Sequence, residues 1–172
     1  MKKVALLLCA LVIAVVFSPM SGSQVDAATT ESTPSYQVLK QNAKGKQVSL
    51  EFKSKAAFEK YLREHPVKGK FSIQEQIRSV FYEHKDGRGW SFNVDASRNP
   101  TVIFNFGQFN DQVSSIRTHS HGNYTIIYEH INAQGRALAL ANTGALYNLV
   151  SPMGDGERTW NDEASSAIVR SN

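Results

Sequence analysis

Apolar and polar residues change their spacing several times along this 172-residue chain, and each change marks a different kind of segment. Residues 4–17 form an almost unbroken apolar run. Between 36 and 53 the spacing shortens to two. Val48, Leu50 and Phe52 alternate with polar neighbours, as in a strand with one buried face. Lys44-Gly45-Lys46 supplies a turn before it, so a short extended pair is predicted. Ser54 then stands where a helix N-cap is wanted. Phe58 and Leu62 fall on one helical face over 55–63, and Pro66 closes the segment.

From residue 80 onward, short β-rich runs alternate with clusters of Gly, Asn, Asp and Ser. One set of candidate strands is 80–83, 90–94, 102–106 and 113–118. A second set is 124–129, 136–140, 145–150 and 164–169. Regular short strands separated by turn residues predict an all-β sandwich or barrel. Two sets of four predict two Greek-key motifs.

The two sets also repeat in detail. Tyr82-Glu83-His84 and Tyr128-Glu129-His130 are each followed by a glycine seven positions after the tyrosine, Gly89 and Gly135. A glycine fixed there predicts a folded hairpin whose backbone bars a Cβ. Farther on, Asn110-Asp111-Gln112-Val113-Ser114-Ser115 and Asn161-Asp162-Glu163-Ala164-Ser165-Ser166 share the pattern Asn-Asp-x-x-Ser-Ser, each after a large aromatic, Phe109 or Trp160. The copies are 46 residues apart at Tyr and Gly but 51 apart at Asn110 and Asn161, so the second copy carries five extra residues. Pro, Gly and charge place them within 151–158. Every fixed position of the hexapeptide offers oxygen and none offers sulfur, which suits a hard cation such as Ca²⁺.

Composition adds the cellular setting. Met1-Lys2-Lys3, the apolar run and Val25-Asp26-Ala27 together read as a secretory signal peptide over 1–27, cut after Ala27. The run is short for a bilayer span and is followed by Pro, Ser and Gly, so no membrane span is expected in the mature chain. Cys9 is the only cysteine; in Leu6-Leu7-Leu8-Cys9 a Leu stands where a small residue should precede a lipidated Cys, and the site lies inside the apolar run, so the mature chain has no thiol for disulfides or metal. Removing Lys2, Lys3 and Asp26 leaves 17 basic and 14 acidic residues, a net charge of +3 too small to argue for nucleic acid. Residues 29–35 read as a flexible leader.

Two aromatic-x6-Gly hairpins, each followed by Asn-Asp-x-x-Ser-Ser in the same order, resemble the βγ-crystallin family, in particular its secreted, calcium-binding microbial members. The resemblance covers 79–170 and leaves out the segment before it. It implies an all-β, βγ-crystallin-like sandwich of two Greek-key motifs, 79–120 and 124–170, within a domain over 79–172, preceded by a small α/β extension over 28–75. It also implies two Ca²⁺ ions between the motifs, with each motif helping to build both sites. Carried onto this chain, Ser114 and Ser165 would give hydroxyls, and Asp111 and Asp162 carboxylates. Gln112 and Glu163 would give main-chain carbonyls, and Glu83 and Glu129 mainly backbone oxygen. Asn110 and Asn161 would order the loops through Asx-type bonds. Which ligand serves which ion stays open.

Other chemistry is less well supported. His119 and His121 share a face if their segment is a strand, but no third ligand has zinc spacing, and an exposed strand end is expected. His84 and His130 repeat at equivalent positions, which points to structure. Nothing places Glu83 and Glu129 across a cleft as a glycosidase pair, and Ser114 and Ser115 lack a nucleophile's Gly-x-Ser-x-Gly setting. The expectation is a secreted, non-enzymatic, calcium-binding protein with a structural or stability role. The alternative is a secreted peptidase inhibitor of similar fold, with 151–158 as its reactive loop. A further alternative is an envelope or matrix component whose 28–75 segment meets a partner.

Overall fold

The computed structural model describes residues 35–70 and 77–172. The predicted signal peptide over 1–27, leader residues 29–34, and residues 71–76, which take in the end of the predicted extension, lie outside the described residues. The first described elements are β1 (Tyr36–Gln41), β2 (Gln47–Phe52) and α1 (Lys55–Glu64). The first repeat folds into β3 (Arg78–His84), β4 (Arg88–Asp95), β5 (Thr101–Ile103) and β6 (Ser115–Arg117). The second gives β7 (Tyr124–His130), β8 (Gln134–Ala141), β9 (Leu146–Asn148) and β10 (Ser166–Val169). The third strand of each repeat is shorter than its apolar run suggests.

Two sheets result, ordered β2-β1-β8-β7-β10-β5 and β4-β3-β6-β9. The third strand of each repeat crosses over: β5 pairs antiparallel with β10, and β9 pairs antiparallel with β6. Each sheet therefore contains strands from both repeats, so neither half completes its own sandwich. Phe81, Ile116, Ile127, Leu138, Leu140, Tyr147 and Trp160 fill the space between the sheets. Phe81 stacks on Phe92 with ring centroids 4.9 Å apart.

The segment before the repeats joins the same architecture. β1 runs parallel to β8, with Tyr36 beside Ala137 and Leu39 beside Leu140. Ser54 caps α1 by accepting a hydrogen bond from the Ala57 amide at 3.2 Å. The helix buries Phe58 and Leu62 on the outer face of the larger sheet, against Tyr36, Val38, Ile126 and Tyr128. Each such side chain contributes about 1.5–3 kcal/mol when fully buried. The alternation Ala137-Leu138-Ala139-Leu140-Ala141 explains how β8 serves two layers. Its leucines enter the sandwich core, and its alanines keep the helix-bearing face low.

The alternation in β2 predicts a buried face, and there the structure differs. Val48 and Leu50 are exposed, at 44% and 41%. Leu50 lies opposite Val38 on the helix-bearing face, but β2 is the outermost strand. The helix reaches only its Phe52 end, where that ring meets Phe58 and Tyr61. No helix among the described residues is long and apolar enough to cross a membrane.

Candidate metal site

The two hairpins are near copies. Gly89 and Gly135 both have φ of +77°. A Cβ on Gly89 would lie 3.0 Å from the His84 ring, and one on Gly135 would lie 2.9 Å from the His130 ring. Those histidines thus pack over the glycines and shape the fold. The two glutamates turn their carboxylates back onto the same hairpins: Glu83 Oε2 accepts from the Trp90 amide at 3.1 Å and Glu129 Oε2 from the Arg136 amide at 3.3 Å. Their side chains are used locally, which leaves their carbonyls as the oxygens available to the neighbouring loops.

The last serine of each hexapeptide has a role that the pattern alone did not disclose. Ser115 Oγ donates to the His84 carbonyl at 2.6 Å and accepts from the Gly87 amide at 3.1 Å. Ser166 Oγ makes the same pair of bonds, to the His130 carbonyl at 2.6 Å and from the Ala133 amide at 3.1 Å. Each latches the tight turn of its own hairpin. Their invariance in the repeat was the available signal, but it did not say which backbone groups they would reach.

The first serine of each hexapeptide reaches the other repeat. Ser114 Oγ donates to Asp162 Oδ1 at 2.8 Å, and Ser165 Oγ lies 3.1 Å from Asp111 Oδ1. The main chains are reciprocal as well. The Asp111 amide donates to the Ala164 carbonyl at 3.2 Å, and the Asp162 amide to the Val113 carbonyl at 3.1 Å. Asp111 and Asp162 take left-handed conformations, with φ of 53° and 59°. Asp tolerates that region better than most residues. Asn110 Nδ2 donates to Asp111 Oδ2 at 2.7 Å, and Asn161 Nδ2 to Asp162 Oδ2 at 2.6 Å. The asparagines therefore orient the carboxylates directly, where an Asx-type backbone bond was expected.

Oxygens in this region outnumber the protons available to them. Ser165 Oγ is 2.8 Å from the Glu129 carbonyl and 3.1 Å from the Asp111 carboxylate, yet a hydroxyl has one hydrogen to give. The Oδ1 atoms of Asn110 and Asn161 are buried without a hydrogen-bond partner. Among the described residues no three His, Cys, Asp or Glu side chains gather as a metal cluster. The donor set is mixed: hydroxyls, one carboxylate from the opposite motif, and main-chain carbonyls. That mixture suits a hard cation of flexible coordination and would poorly hold Zn²⁺.

Of the eight residues singled out from the sequence, Glu129, Ser165 and Asp111 converge on one side through the contacts above. Ser114 and Asp162 meet on the other, and Glu83, Asp111, Gln112 and Asp162 line a shallow opening there with His84. Glu163 differs from Gln112, because its carboxylate is held by Arg158 at 3.0 Å. Arg158 also reaches Glu129 at 3.1 Å and Asp155 at 2.7 Å, and Arg136 meets Glu129 at 2.7 Å. Burial works against ionisation of Glu129, but the Arg136 amide, its charge and the Arg158 bond outweigh it and hold the carboxyl below the usual range.

His119 and His121 are a correction: both are buried, where an exposed strand end was expected. His119 Nε2 donates to the Arg170 carbonyl at 3.0 Å, while its Nδ1 accepts from the His121 amide at 3.1 Å. Both ring nitrogens are thereby used in a neutral imidazole. Burial outweighs the Arg170 bond and, with His121 nearby, pushes the His119 pKa down to about 4.

No protein-family model matches the chain, and no curated protein does. Among solved structures it is similar to one described as "Evolution of the eye lens beta-gamma-crystallin domain fold", at 21% identity over 63% of this chain and 99% of that one, with a TM-score of 0.45. A βγ-crystallin from Ciona intestinalis is 22% identical over 54% of this chain and 98% of its own, with a TM-score of 0.40. A βγ-crystallin from an archaeon is 25% identical over 57% of this chain and 100% of its own, with a TM-score of 0.41. With paired tyrosine-to-glycine hairpins and the third strand of each repeat exchanged between sheets, the chain has a βγ-crystallin-like fold of two Greek-key motifs.

Proposed function

We propose that this is a secreted, non-enzymatic protein that binds two Ca²⁺ ions between its Greek-key motifs and is stabilised by them. The observation that carries the reading is the reciprocal contact of Ser114 with Asp162 and of Ser165 with Asp111. One position would take the Ser114 hydroxyl, the Asp162 carboxylate and carbonyls of Gln112 and Glu83. The other would take the Ser165 hydroxyl, the Asp111 carboxylate and carbonyls of Glu163 and Glu129. With one motif carboxylate at each position, the affinity is weak to moderate. Bound ions would neutralise carboxylates and link two loops that come from different halves of the chain.

Export is supported by the basic start, apolar run and small residues of segment 1–27. A mature chain without cysteine has no disulfide to hold it together outside the cell, and a shared ion serves the same end. The inhibitor reading is less favoured, because the 151–158 loop is tied down. Met153 is fully buried and Arg158 is bound to three carboxylates.

Ligands that bind only the folded state stabilise it by mass action, by about 2.7 kcal/mol at a hundred times the dissociation constant. Thermal melts in excess Ca²⁺ and in chelator test this. The expected result is a transition roughly 5–10 °C higher with Ca²⁺. Superimposable melts at millimolar Ca²⁺ would refute the reading.

A further inference from the structure

The two halves differ in charge around Glu129: Arg136 meets it at 2.7 Å where the first half has Trp90, and the inserted loop adds a second arginine, Arg158, at 3.1 Å. In the second half the extra residues form a loop closed by the Pro152–Thr159 bridge and by the Met153 amide, which donates to the Arg158 carbonyl at 2.9 Å. With Met153 buried as an anchor, the loop delivers the Arg158 side chain to a fixed place. Its guanidinium bonds Asp155 through Nε at 2.7 Å, Glu163 through Nη1 at 3.0 Å and Glu129 through Nη2 at 3.1 Å. Glu129 and Glu163 are the two residues whose carbonyls frame the second proposed ion position. Their counterparts are Glu83, which lies 4.0 Å from His84 as Glu129 lies from His130, and Gln112, whose side chain is uncharged.

We propose that Arg158 is a tethered counter-ion that sets the affinity of the Ser165-side calcium position and makes it the weaker of the two. The inference rests on the calcium reading above and deepens it. Glu163 adds a carboxylate where the first half has an amide; of the loop's charged residues, Asp155, Glu157 and Arg158, the arginine meets Glu163 at 3.0 Å while also holding Asp155 at 2.7 Å. A Ca²⁺ ion approaching the Ser165 side meets a guanidinium already held on the two residues that frame the position. Like charges several ångströms apart at a protein surface cost enough to change an affinity about tenfold. Arg158 is exposed at 44%, so added salt should screen the effect and narrow the gap between the two steps.

Calorimetric titration of CaCl₂ into the protein and into its Arg158→Ala and Arg158→Gln variants tests this. The parent should bind in two steps about tenfold apart. In both variants the weaker step should tighten about tenfold while the stronger one stays in place. Adding Ser165→Ala to Arg158→Gln should remove the tightened step, whereas adding Ser114→Ala should spare it. Two-step binding that is unchanged in both variants, with native circular dichroism, would overturn the role of Arg158 while leaving the calcium reading intact. Tightening of the Ser114-dependent step would also overturn it. Absence of binding in the parent and both variants would overturn the calcium reading and this inference together. If Arg158→Ala does not fold, Arg158→Gln with Glu163→Gln removes both charges of that pair, leaves Arg136 on Glu129, and should bring the two steps within about threefold. A gap left at tenfold would count against the proposal.

Discussion

Ser115 and Ser166 latch matching turns, and Gly89 and Gly135 share one backbone conformation, yet the loops beside them are supported in different ways. The first loop is preceded by Phe109, half-buried at the rim, with Asp111 and Gln112 exposed. The second is preceded by Trp160, fully buried, whose indole Nε1 donates to Gln37 Oε1 at 3.2 Å. Gln37 belongs to β1 and also donates to the Pro152 carbonyl at 2.6 Å. One strand from outside the repeats thus braces both the second loop and its insertion. A repeated motif sets the local shape of each half, and elements that are not repeated decide how firmly each is held.

Truncating the two aromatics should separate the loops most strongly. Trp160→Ala removes a large, fully buried side chain and takes the indole donor from Gln37 Oε1, and should cost about 3–5 kcal/mol in chemical denaturation. Phe109→Ala, at a half-buried position, should cost about half as much or less. Equal losses would show that the two loops are supported alike.

Acid separates the halves next. His119 in the first half is neutral when folded, with a pKa lowered from 6.5 to about 4. The unfolded chain takes up the proton first, so this residue's contribution is fully present above pH 6.5 and declines as pH falls toward 4. The melting temperature should fall through that window by about 5 °C more in the parent than in His119→Gln. Parallel pH profiles would remove His119 as the cause.

The smallest effects should be equal in the two halves. Ser115→Ala and Ser166→Ala each take away one hydroxyl that closes a turn, at a cost of about 1–2 kcal/mol. A difference greater than that between the two would mean that the latches are not equivalent, despite their matched distances.

Much of this was legible in the chain because repeats expose themselves. The hairpins and the strand count of the two repeats follow from residues recurring at fixed offsets, which also single out Ser114, Ser165, Asp111 and Asp162; which serine meets which aspartate stayed open in the sequence. What escaped depends on contacts distant in sequence. Nothing local to Tyr36 announces a parallel pairing with Ala137 a hundred residues later, since parallel partners leave no turn signature. The exposure of Val48 and Leu50 follows from β2 being outermost, which alternation within the strand cannot reveal. His119 and His121 are buried because the chain turns there under the C-terminal residues, with the Asn172 amide donating to the His121 carbonyl at 3.1 Å. The insertion at 151–158 was visible from its length and composition, but the carboxylates that Arg158 binds were not.

In the proposed reading each ion position is shared across the two motifs. That sharing is tested most directly by residue-resolved amide NMR during Ca²⁺ titration of the protein and of its Asp162→Ala variant. The variant should lose the Ca²⁺ response at Glu83, Gln112 and Ser114, in the opposite motif, and keep the response at Glu129 and Ser165. Loss of the response only at Glu129, Glu163 and Ser165, within the motif that carries Asp162, would contradict the sharing.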